Sequence, residues 1–391
     1  MQKRISKILL FFFLLFDIIY AKDLDLFSDK YILYNLSENQ IMMKKDENVK
    51  TNIASLTKIM TIIVSIENIK DFEEEVIITK QMLDGIASDV SVAGFKKGER
   101  LTYNDLLYGA MLPSGADATN ALAISIAGTK ENFIKLMNDK VKELHLKNTH
   151  FSNVVGLYDE DNYSSAYDIA QLLMYSLKNK KFKEIFETKK YTLTNGKELK
   201  STLLYYENDD VNIISGSKTG YIKAAGRCLA STSQIDDVNY LLITLNSFSK
   251  DKTAHIKDAI TIYSYYKENY AYHNYLNIDD VLVTLNTENA KEKQIEIKSN
   301  EIKKIYHDNT FSKDKLEYIY NGKNEVSYFT KKGTKLGTIT IKYDNEIIDN
   351  FDLIYNETLT FSLINTIKNY LAEIILLIFA SIIIMRKKIY K

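Results

Sequence analysis

One stretch constrains the fold more than any other. From Ile53 to Ile66 (IASLTKIMTIIVSI) the chain is almost wholly apolar or small, yet Lys58 sits inside it, three residues after Ser55. The run has the length of a helix, and its many β-branched residues mean that packing, not intrinsic propensity, must stabilise it. A buried ammonium is costly unless it is paired or gives up its proton. Positions i and i+3 share a helix face, so a neutral Lys58 amine would reach the Ser55 hydroxyl. It would take the proton and make serine a nucleophile without histidine. The competing reading is a lysine that snorkels to water from the helix start. Ser-x-x-Lys alone also recurs by chance in a lysine-rich chain.

A second stretch shifts that balance. SGSKTGYIKAAGRCLAST places Lys218, Thr219 and Gly220 at the entrance to a strand. Lysine supplies charge, threonine a hydrogen bond, and glycine lets a ligand lie against the backbone, which suits a peptide ending in carboxylate. Between the two stretches, Pro113-Ser114-Gly115 breaks a helical pattern, and the loop exposes a second serine hydroxyl suited to proton relay.

The surrounding patterns fit a mixed α and β domain. DKYILYNLSENQIMMKKDEN reads as a hairpin turning at Leu36–Asn39. LTYNDLLYGAMLPSGADATNALAISIAG reads as two helices on either side of the Pro113–Gly115 break, and TKENFIKLMNDKVKELHL as an amphipathic helix. SAYDIAQLLMYSLKN reads as a helix capped by Ser165, and GRCLASTSQIDDVNYLLITLNS as two strands joined at Gln234–Asn239. After Tyr275 the character changes to short alternating segments (VLVTLNT, KQIEIKS, EVSYFTK, GTKLGTITIKYDNEIIDNFDLI), the pattern of a small antiparallel β domain.

The two ends carry export and membrane signals. Met1–Ala21 has a basic start, an apolar run and a small residue before Lys22, the layout of a secretory signal peptide. Tyr370–Met385 is apolar apart from Glu373 and is followed by Arg386, Lys387, Lys388 and Lys391, which the positive-inside rule keeps cytoplasmic. The reading is a spanning helix over 367–388, with an amphipathic helix lying in the interface as the alternative. Lys+Arg and Asp+Glu are both 51 in 391 residues, so net charge gives no reason to expect nucleic acid. Cys228 is the single cysteine, which leaves no internal disulfide and reads as a small buried hydrophobe. The five histidines show no metal-ligand spacing.

Ser-x-x-Lys, Ser-Gly-x and Lys-Thr-Gly in this order form the signature of penicillin-binding proteins and class A β-lactamases. The chain resembles most closely the low-molecular-mass penicillin-binding proteins, the D-alanyl-D-alanine carboxypeptidases of serine peptidase family S11. The resemblance runs from Asp29 to Lys267 through ASLTKIMT, LLYGAMLPSGADATNALA, THFSNVVGLYDEDNYSSAYDIAQL and SGSKTGYIKAAGRCLAS. It implies an α/β (α+β) catalytic domain over 22–274, an antiparallel sheet flanked by helices with a helical subdomain. A small β-sandwich domain over 275–362 and the membrane helix would follow.

By position, the resemblance implies Ser55 as the acylated nucleophile, Lys58 as its general base and Ser114 as proton relay. Lys218 and Thr219 would hold the terminal carboxylate, with Gly220 beside them. The backbone N–H groups of Ser55 and Tyr221 would form the oxyanion hole. No cofactor or metal is implied. Implied partners are peptidoglycan stem peptides, β-lactams as acylating inhibitors, and the membrane through the C-terminal segment. The catalytic domain would lie on the outer face of the cell membrane, periplasmic or extracellular.

Two departures stand out. The second motif usually ends in asparagine, and here Ala116 occupies that place, with Asn120 one turn on. KSTLLYYEND keeps only Leu203 and Leu204 of the stretch that usually precedes the third motif. A β-lactamase would need Glu-x-x-x-Asn, but Glu160 is followed four residues later by Ser164. A DD-endopeptidase would use similar chemistry. A wall-binding scaffold without activity is the non-enzymatic rival, with Ala116 in its favour.

Overall fold

The structure, a computed structural model, describes residues 24–206 and 211–389. The signal-peptide reading of 1–21 lies outside the described residues. The chain divides into two compact units, Met1–Glu268 and Asn269–Lys391, so the break falls ahead of the change in character at Tyr275.

The first unit is built on a five-stranded antiparallel sheet. Its strands are β1 (Ser28–Asn35), β2 (Gln40–Lys45), β3 (Gly216–Ile222), β4 (Gly226–Ile235) and β5 (Val238–Ser247), in the order β2-β1-β5-β4-β3. The hairpin β1–β2 turns where the sequence pattern placed it. The β4–β5 turn is tighter than expected, because β-pairing continues to Ile235 and Val238. β3, which carries Lys-Thr-Gly, is therefore an edge strand.

Strand alternation assigns the two faces. Ile32, Ala230 and Ile243 enter the main core with helix α1 (Thr57–Asn68), whereas Ser231 points to Tyr263 of the C-terminal helix of this unit, Ala254–Asn269. α1 is buried from Thr57 to Ile66, as expected of a helix that is apolar on all sides. It packs against α2 (Tyr103–Met111), α3 (Ala116–Ala127), α4 (Lys130–Glu143) and α5 (Ala166–Leu177). Three of these starts are chemically marked: Thr102 caps α2 by accepting from Asp105 N, Thr129 caps α4, and Ser165 caps α5 by accepting from Asp168 N. Phe133, Met137 and Val141 form the buried stripe of α4.

The second unit holds three small sheets around a core that includes Leu276, Leu285, Ile339, Ile341 and Tyr355. Tyr270–Leu276 pairs with Lys303–Asp308, and Lys335–Tyr343 pairs with both Leu316–Gly322 and Glu346–Ile354. Val281–Glu288 forms an antiparallel pair with Gln294–Lys298 but a parallel one with Glu325–Ser327. The unit is thus mixed, not purely antiparallel. The cause is a chain that leaves Val281–Glu288 by a hairpin and returns to its other side only after the intervening strands.

The C-terminal segment departs from the expected single helix. Residues Leu363–Asn369 and Leu371–Ile389 are two helices. Among the described residues no single helix is long and apolar enough to cross a membrane; Leu363–Asn369 and Leu371–Arg386 pass only together, bent by 71°. The first of them is tied to the β-rich unit by its asparagines, which fixes its direction before the apolar run begins.

Candidate active site

Ser55 lies in a single 3-10 turn, Ala54–Leu56, at the entrance to α1 rather than within the α-helix. Ala54 turns the chain in with φ +48°. Side chains three apart share one face of the helical path that runs from this turn into α1, and Lys58 Nζ lies 3.0 Å from Ser55 Oγ. The amine also donates to the carbonyl of Val155 at 2.7 Å. Lys58 is 1% exposed. Burial lowers its pKa to about 7, against a weaker upward pull from the Asp117 carboxylate.

Facing this pair is a second one. Lys218 Nζ donates to Ser114 Oγ at 2.9 Å and to its neighbour's carbonyl, Thr219 O, at 2.8 Å. Lys218 is fully enclosed, and burial together with repulsion from Lys58 holds its amine well below the usual lysine range. Ser114 is buried rather than exposed, with φ +62°. The tight turn between α2 and α3 aims its hydroxyl inward at Lys218, which loop chemistry alone did not reveal. A non-glycine residue in this region stores about 1–3 kcal/mol of strain.

Gly220 brings β3 onto the serine turn. A Cβ there would lie 3.0 Å from Ser55 N and 3.1 Å from Ala54 Cβ. Thr219 Oγ1 shares a hydrogen bond of 2.7 Å with Thr202 Oγ1. The side chain of Tyr221 is 57% exposed, with the Arg227 guanidinium 4.6 Å above its ring. The fold thus gathers Ser55, Lys58, Ser114, Lys218, Thr219 and Gly220 from three separate segments.

Three contributors were not singled out from the sequence. Asn153 Oδ1 accepts from the backbone N–H groups of Val155, Gly156 and Leu157, which shapes the loop whose carbonyl holds Lys58. Gly156, at φ +88°, lies directly against Ala54. Asp117 is buried and accepts from the N–H groups of Ala93, Gly94, Phe95 and Ala118, tying the start of α3 to a loop. Asn-x-x-Gly was the available signal for the first two; Asp117 left none beyond its position. Ala116 and Asn120 line one cavity of about 220 Å³ with Asn153 and Val155. Among the described residues no group of three or more His, Cys, Asp or Glu side chains forms a metal cluster.

A serine hydroxyl against a buried, readily neutral amine, beside a second Ser–Lys pair on a sheet edge, is an arrangement in which a hydroxyl can be activated for acyl transfer without histidine. The sequence model of the D-alanyl-D-alanine carboxypeptidases, peptidase family S11, matches residues 19–249, and the chain belongs to this family. It is 28% identical to D-alanyl-D-alanine carboxypeptidase DacF of Bacillus subtilis over 329 residues, covering 81% of this chain and 82% of the relative. It is 32% identical to DacA of Escherichia coli over 222 residues, 53% of each chain. The solved D-alanyl-D-alanine carboxypeptidase DacD from Francisella tularensis shares the fold at a TM-score of 0.64, covering 88% of this chain and 96% of that one at 21% identity.

Proposed function

We propose that the protein removes the terminal D-alanine from peptidoglycan stem pentapeptides through an acyl-enzyme on Ser55. The observation that carries this reading is the amine of Lys58, buried and 3.0 Å from Ser55 Oγ. Neutral Lys58 takes the hydroxyl proton while Oγ attacks the carbonyl carbon of the penultimate D-alanine. Backbone N–H groups of Ser55 and Tyr221 stabilise the oxyanion, worth about 3–4 kcal/mol in comparable sites. The C–N bond then breaks, and the departing amine receives its proton through Ser114, whose hydroxyl is bonded to Lys218. Lys58, having given the serine proton to that amine through Ser114, then deprotonates the water that hydrolyses the ester, and return of that proton to Oγ frees Ser55. Lys218 and Thr219 hold the substrate's terminal carboxylate.

The same reading makes β-lactams acylating inhibitors of Ser55. It places the catalytic unit on the outer face of the cell membrane, exported by residues 1–21 and held by the C-terminal helices. The second unit is read as a β-sandwich spacer between the two. Incubation with a fluorescent penicillin should label the wild type and leave Ser55→Ala unlabelled. Absence of wild-type labelling would refute the acyl-enzyme. D-Alanine release from diacetyl-Lys-D-Ala-D-Ala tests turnover; labelling without release would favour the wall-binding scaffold, for which Ala116 speaks.

A further inference from the structure

The helix Leu363–Asn369 has its amphipathic character inverted with respect to the unit it sits on. Its two asparagines bond to the protein: Asn365 Nδ2 donates to Ala290 O at 2.7 Å, and Asn369 Nδ2 donates to Asn289 Oδ1 at 3.3 Å, while Lys368 is exposed. Its apolar residues face outward, with Leu363 63%, Ile364 68% and Ile367 44% exposed. A helix packed on a water-soluble domain shows the opposite arrangement.

The apolar face continues beyond the helix. Phe361, immediately before the cap residue Ser362, bridges Ala290 and meets Tyr328 and Phe329 at ring-centroid distances of 5.2 and 6.2 Å. Phe329 is 60% exposed, yet the turn that carries it is pinned. Tyr328 N donates to Glu288 O, and Thr330 N donates to Ser327 O, both at 2.9 Å. The rings are thus held out by a fixed scaffold. Lys331 and Lys332 follow directly, both exposed, and neither forms an ion pair with a described residue.

We propose that this patch lies on an anionic lipid bilayer, and that the Tyr328–Phe329 turn is a second foothold beside the C-terminal helices. The inference rests on the membrane anchoring proposed above and adds a contact on the β-rich unit itself. Covalent continuity argues for lipid as the occupant, since the apolar helix that starts at Leu371 brings a bilayer to this face. The bend of 71° suits one helix lying along the surface and the next entering it. The tyrosine ring favours the depth of the headgroups, and lysines near an anionic surface are drawn to it. Two weak signals side by side turn reversible contact into stable attachment. The turn thereby fixes which side of the β-rich unit faces the membrane.

The test uses the full chain in vesicles of phosphatidylcholine and phosphatidylglycerol. Cys228 is wholly buried, so a cysteine introduced at the surface takes an environment-sensitive fluorophore selectively. Labels are placed at Phe329→Cys, at Phe379→Cys in the apolar helix and at Lys97→Cys in the first unit. Nitroxide lipids carrying the quencher near the headgroup should quench position 329, with blue-shifted emission. Deeper nitroxides should quench 379, and neither should quench 97. Adding Lys331→Glu and Lys332→Glu should bring position 329 toward the behaviour of 97. If 329 matches 97 while 379 is quenched, the anchor stands and the second foothold is overturned. If 379 is not quenched either, the anchoring reading itself fails. Shielding of 329 from both lipid quenchers and aqueous iodide would assign the patch to a protein surface instead.

Discussion

Gly156 lies against the carbonyl of Ala54 so closely that a Cβ built on it would fall 1.9 Å from that oxygen and 3.0 Å from Ser55 N. The loop whose Val155 carbonyl holds Lys58 is therefore clamped to the turn that carries Ser55. Gly156→Ala should push these two segments apart, and its φ of +88° adds strain for any side chain. A displacement of about 1 Å costs on the order of 100-fold in rate. Acylation by fluorescent penicillin should fall by about that factor, with a lower midpoint of thermal unfolding. A variant that acylates at the wild-type rate would separate the loop from the chemistry.

The pH dependence follows from Lys58. Only its neutral form accepts the Ser55 proton, and burial brings its pKa to about 7. The acylation rate should rise with pH and level off above about 7, dropping tenfold per unit on the acid side. An unburied lysine would put this limb near its ordinary pKa of about 10.4. Lys58→Arg, charged at every working pH, should abolish labelling. The measurement is the rate of penicillin labelling across a pH series. A flat profile through pH 7 would remove Lys58 from the role of base.

Asp117 affects both stability and this profile. Its carboxylate accepts four backbone N–H groups and raises the proton affinity of Lys58. Asp117→Asn turns one acceptor oxygen into a donor and should cost about 1–3 kcal/mol for each N–H left unpaired. The thermal midpoint should drop. The acid limb should also move to lower pH, because a neutral amide no longer favours the charged amine. An unchanged limb would mean that Asp117 acts on the fold alone.

Much of this site was legible from the sequence, for stated reasons. Lys58 was conspicuous because charge interrupts an apolar run, and Lys-Thr-Gly because glycine on an edge strand signals close approach. Burial of Ser114 was not legible, since a Pro-Ser-Gly loop reads as exposed until α2 and α3 close over it. Gly156 and Asp117 act through backbone geometry across long sequence separations, which local patterns do not encode. The kink at Tyr370 had the same origin: hydropathy follows the apolar run but not the bonds of Asn365 and Asn369 that turn the preceding helix.

The effect of Ala116 on the level of activity is open to direct test. It stands where family members usually carry asparagine, at the start of α3, beside the cavity of about 220 Å³ that Asn120, Asn153 and Val155 also border. Ala116→Asn places an amide in space already present, so repacking is slight. One added hydrogen bond to the substrate backbone is worth about 1 kcal/mol, a rise of roughly fivefold in acylation and D-alanine release. Asn120 offers the competing account, because it lies one turn on along the same helix face. If Asn120 already supplies the amide, Asn120→Ala should reduce acylation by a similar factor and Ala116→Asn should add little. Measuring both variants, singly and together, assigns the contact: gain at 116 with no loss at 120 leaves the amide missing in this chain, and the reverse places it at Asn120.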